Sequence, residues 1–149
     1  EFVNFTKGDG LAHNVVSGIN RDPDGVMWFA AGGWLTGLGW GVSQYDGKEF
    51  VNFTTEDGLA HNVVSAIHSD PDGVMWFATG GWVMGGGGVS RYDGKEFVNF
   101  TMKDGLARKC VWTIHGDPDG VMWFGTGGGV SGDEGEGGGN CARIRGSRV

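Results

Sequence analysis

Apolar positions in this chain come in short runs, each closed by a turn-forming residue before a helical period can develop. Residues 15–19 read VVSGI, 26–30 VMWFA, 41–45 GVSQY and 49–53 EFVNF. All are β-branched or aromatic and bounded by Asp-Gly or Gly-rich links, the pattern of short strands. DPDG at 22–25 and YDGK at 45–48 read as the hairpin turns. There Pro presets φ, Asp caps the turn with its side chain, and Gly accepts a positive φ.

The same order then returns twice. EFVNFT stands at residues 1–6, 49–54 and 96–101, and each copy opens a block of about 47 residues. The VVSGI segment recurs at 63–67 and, as CVWTI, at 110–114; VMWF recurs at 74–77 and 121–124; GVSRY at 88–92 matches GVSQY. Four antiparallel strands per unit of this length, in tandem, predict an all-β chain of β-propeller blades. Residues 1–131 are expected to hold three such blades. Within them, 1–6 is a spare outer strand, 7–54 and 55–101 are complete, and 102–131 lacks an outer strand. The remainder, 132–149, no longer matches the repeat; it is rich in glycine and charge and is expected to be a flexible tail.

Composition narrows the function more than it defines it. Glycine fills 32 of 149 positions, and the seven Trp fall largely at repeating positions, so the core is expected to be aromatic. A net charge of −7 lacks the basic footprint of a nucleic-acid binder. No apolar stretch approaches the roughly 18 residues of a membrane span. Cys110 and Cys141 read as unrelated thiols, too few for a metal site. No metal, no cofactor and no catalytic set is expected: the serines of the strands recur as structural positions, and no nucleotide-binding loop is visible.

The run DGLAHNVVSAIHSDPDGVMWFATGG followed by GVSRYDGKEFVNFT resembles the two-component regulator propeller repeat. Several spaced elements of that plan agree in all three copies, over about residues 1–131. The resemblance implies a sensing propeller of the kind found in bacterial hybrid histidine kinases, and an extracytoplasmic, periplasmic setting. It also places the VVSGI strand innermost and EFVNF outermost. That family usually supplies seven blades, whereas this sequence holds three. Three blades do not close a ring, and two apolar end faces exceed what a soluble monomer exposes. The expected partner is therefore the chain itself, by cyclic homo-oligomerisation through the EFVNFT strand: a homodimer of six blades is favoured, with a homotrimer of nine as the alternative.

A ligand face is expected where the loop before the inner strand meets the loop between the second and third strands. The first contributes His13, Asn14, His61, Asn62 and Arg108; the second, glycine-rich, contributes Trp34, Trp40 and Trp82. Aromatic plates beside such hydrogen-bonding groups suit a glycan or another small ring-shaped molecule. The leading expectation is a non-catalytic scaffold or ligand-binding module. Two alternatives stay open: a polysaccharide lyase using His and Arg near the channel, or an amplified or engineered propeller piece with no separate function.

Overall fold

The computed structural model describes residues 1–33, 37–81, 86–118 and 120–127, together with the backbone of 141–145. The first sheet runs β1 (Val16–Arg21), β2 (Met27–Gly33), β3 (Leu38–Tyr45) and β4 (Phe50–Phe53), each antiparallel to the next. A second repeats it as β5 (Val64–Ser69), β6 (Met75–Thr79), β7 (Gly88–Tyr92) and β8 (Phe97–Phe100). The third holds β9 (Val111–Gly116), β10 (Val121–Thr126) and β11 (Cys141–Arg145). The sheets are consecutive blades, as the repeat predicts.

Each blade is pinned by its first turn. Asp22 Oδ1 accepts the Val26 N–H at 2.9 Å, and Oδ2 accepts the Trp28 indole N–H at 3.1 Å. Asp70 holds Val74 and Trp76 in the same way, and Asp117 holds Val121 and Trp123. The carboxylate thus fixes both the hairpin and the orientation of the largest core side chain. Between outer and inner strands, a Thr-x-x-Asp segment closes a single 3-10 turn as a capping box, at Thr6 and Asp9, Thr54 and Asp57, and Thr101 and Asp104.

The core lies between blades. At the first seam Trp28, Ala30 and Val42 of one blade meet Leu59, Val64, Met75 and Phe77 of the next. At the second seam the equivalent seven are Trp76, Ala78, Val89, Leu106, Val111, Met122 and Phe124. A register shift at Ser17 and again at Ser65 marks a β-bulge on the inner strand. The bulge re-aims the hydroxyl: Ser17 Oγ donates to the Val64 carbonyl at 3.0 Å, and Ser65 Oγ donates to that of Val111. In blade three Trp112 takes the bulge position and lies against Gly127, where a Cβ would stand 2.2 Å from its indole nitrogen.

Blade three departs from the flexible tail expected over 132–149, of which the backbone of 141–145 is described. Instead 141–145 pairs with β10, Met122 facing Ile144, Trp123 facing Arg143, Phe124 facing Ala142 and Gly125 facing Cys141. Blade two sets Tyr92, Arg91, Ser90 and Val89 against the corresponding residues of β6. Cys-Ala-Arg-Ile therefore occupies the register of Val-Ser-Arg-Tyr. The physical reason is the exposed edge of β10, whose N–H and C=O groups pair with whichever β-compatible segment reaches them. The EFVNFT segment is a strand at its second and third copies, and residues 1–6 belong to no sheet.

Replacing Asp70 by Ala removes three hydrogen bonds to its carboxylate at once, from the Asp72 and Val74 N–H groups and the Trp76 indole, and is expected to lower stability by about 2–3 kcal/mol. Asp72→Ala, two residues on, is expected to stay within about 0.5 kcal/mol. Denaturant unfolding of the two variants side by side checks this.

Candidate functional site

The loop face forms because each blade's second-to-third-strand loop leans on the following blade. The Gly41 N–H donates to the Asn62 carbonyl at 2.9 Å. A Cβ on Gly39 would fall 2.1 Å from that same oxygen, so glycine is required for the approach. The close packing that glycine permits here is blade on blade.

On this face the histidines and asparagines of the HN pairs serve different ends. Asn14 Oδ1 accepts the Lys7 N–H at 2.7 Å and Asn62 Oδ1 accepts the Thr55 N–H at 2.8 Å, each securing the 3-10 turn before its own inner strand. His13 Nδ1 accepts the Val15 N–H at 3.1 Å, and His61 Nδ1 accepts that of Val63 at 3.0 Å. Nδ1 of each ring is thus committed to the backbone. Trp40 stacks on His13 with ring centroids 3.6 Å apart and planes 6° from parallel. In the second unit glycine, Gly87, stands where Trp40 does in the first, and Gly86 lies near the His61 ring. Burial holds the His61 pKa below its ordinary value. Arg108, in the third unit, is exposed. The structure thus brings His13 with Trp40 and sets Asn14 and Asn62 beside them as loop anchors; Trp34 and Trp82 lie outside the described residues.

A second concavity opens at the other ends of the inner strands, among the DPDG turns. It encloses about 460 Å³ and is lined by Arg21, His68, Ser69, Asp70, Gly116 and Met122 among others. His68 rests against Gly116, whose absent Cβ leaves room for Nε2. Burial first, then the neighbouring His115, hold the His68 pKa down, with a smaller upward pull from Asp70. The cavity depends on three blades being curved together, which no local motif reports.

Comparison with known proteins matches the family model described as two component regulator propeller at residues 10–33, 58–81 and 105–128. Among solved structures, the chain is similar to the extracellular domain of BT3049, titled a hybrid two component system, from B. thetaiotaomicron. The match has 25% identity and a TM-score of 0.70, over 86% of this chain and 17% of that one. The extracellular domain of BT4673 from the same organism matches with a TM-score of 0.54 at 20% identity, covering 74% of this chain and 15% of that one. This chain therefore spans less than a fifth of each. No curated protein matches it.

The depressed His68 pKa has a definite sign. The unfolded chain takes up this proton near the ordinary value of about 6.5, before the folded chain does, so stability falls as pH drops below that value and recovers above it. Melting curves between about pH 7.5 and about pH 5 are expected to show the loss in the parent. His68→Asn, which installs the residue of the first unit, is expected to flatten it.

Proposed function

We propose, for a chain built of three two component regulator propeller repeats, that it is a non-catalytic propeller module: a scaffold whose loop face recognises a ligand and whose blades complete a ring with further copies of the chain. The observation that carries the ligand reading is the flat His13–Trp40 stack. A stacked aromatic plate flanked by hydrogen-bonding groups suits a pyranose ring, one face on the plate and hydroxyls to the edge. Support for a non-enzymatic role comes from the extracellular domains it resembles and from the commitment of both histidine Nδ1 atoms to backbone.

A dimer of six blades is the favoured ring. Arg108, exposed in the third unit, belongs to the same proposed recognition face.

A glycan array followed by calorimetry on the hits tests the ligand reading. Trp40→Ala is expected to weaken binding by about three- to tenfold, the worth of one aromatic stack, while leaving the fold intact. A lyase assay on the same polysaccharides discriminates the alternative. Unsaturated product that disappears in His61→Ala would overturn the non-catalytic reading.

A further inference from the structure

Among the DPDG turns, on the face opposite the His13–Trp40 stack, the repeat stops repeating. Asp22, Asp70 and Asp117 stand at one position of the three blades, and a proline follows each. The position before them holds Arg21, Ser69 and Gly116 in turn, and the one before that holds Asn20, His68 and His115. The aspartates and prolines belong to the turn. The residues that vary give the cavity its character.

Its polar groups divide into those already engaged and those with capacity to spare. Both oxygens of each aspartate accept a backbone or indole N–H. Ser69 Oγ donates to the Arg21 carbonyl at 3.2 Å. Arg21 is anchored through Nε, which donates to the Gly25 carbonyl at 3.4 Å. Gly25 leaves the room that Nη2 takes, since a Cβ there would stand 3.0 Å from it. The Nη atoms of Arg21 and the imidazole of His68 have no hydrogen-bond partner among the described residues. His68 is half-buried, with Nε2 over Gly116. The walls beside these two groups are apolar: Pro23, Pro71, Pro118 and Met122.

We propose that this cavity binds a small organic acid, with its carboxylate on the Arg21 guanidinium and the His68 ring and its apolar body among the prolines and Met122. A guanidinium with open Nη atoms meets a carboxylate through short, charge-assisted bonds in matching geometry. The volume of about 460 Å³ accommodates a single ring bearing one acid group and lies in the range of small-molecule sites. The charged and titratable groups around His68 are Arg21 and Asp22 from the first blade, Asp70 from its own turn, and His115 and Asp117 from the third. Three carboxylates oppose an anion there. They are drawn back onto their own turns by the N–H groups they accept, so their repulsion acts across solvent and is screened, whereas the contact with Arg21 is direct. Burial and His115 disfavour the His68 imidazolium. A carboxylate beside the ring favours it, so binding draws a proton onto His68 and strengthens as pH falls.

Benzoate is the probe, added to the full 149-residue chain, with the histidine ring signals followed by NMR and affinity read by calorimetry. A saturable shift of the His68 signals is expected, with uncharged benzamide and cationic benzylammonium each at least about tenfold weaker than benzoate. Arg21→Gln is expected to weaken benzoate about tenfold, the worth of one charge-assisted hydrogen bond. Lys48→Gln removes the same charge from an exposed turn elsewhere and is expected to leave binding unchanged. Benzoate stays ionised between about pH 7.5 and about pH 5.5, and over that range its affinity is expected to rise several-fold in the parent and to stay level in His68→Asn. No saturable shift, tighter binding of benzylammonium than of benzoate, or equal losses from Arg21→Gln and Lys48→Gln overturns the site. A parent whose affinity ignores pH overturns the role given to His68. Arg21 is exposed and Asn is the residue of the first unit at the His68 position, so both variants are expected to fold, which circular dichroism checks.

Discussion

The constraint on which everything else depends is that a blade has no interior of its own. Each sheet is one layer, and a single layer buries its apolar faces only against another layer. Here both faces of blade two are covered, and Trp76, Phe77, Ala78 and Val89 fall to 2% exposure or less. The Asp-to-indole bond is subordinate to this. It orients Trp28 and Trp76 so that the indole lies in the seam with its one polar atom satisfied, which removes the cost of burying an unpaired N–H. The bulged serines serve the same end: Ser17 and Ser65 lend a hydroxyl to the neighbouring inner strand, so the narrow part of the seam is tied by polar contacts where there is little room for apolar side chains.

That economy explains the character of the two faces of the ring segment. On the loop face the polar side chains nearest the backbone are occupied in holding loops: Asn14 and Asn62 cap, and His13 and His61 accept from the chain two residues on. Beside these anchors stands the His13–Trp40 stack, an aromatic surface suited to recognition by shape. On the opposite face the carboxylates of Asp22, Asp70 and Asp117 are held by backbone and indole donors, which leaves His68 as the titrating group of the cavity with a displaced pKa.

Much of this was legible in the sequence because the repeat is nearly exact. Strand order, the DPDG and DG turns, and the buried Trp28 and Trp76 follow from short apolar runs and turn chemistry, which are local. The capping boxes were missed: Thr6 with Asp9 and its two copies match an N-terminal signature that reading EFVNFT as a strand alone conceals. The third strand of blade three was not legible. Its segment, Cys141 to Arg145, shares with GVSRY only an arginine and a pattern of small and apolar positions, and what selects it is the open edge of β10 beyond a glycine-rich link. Likewise the His13–Trp40 stack depends on a loop folding back over the preceding turn, and the seam partners of Phe5 on three-dimensional order.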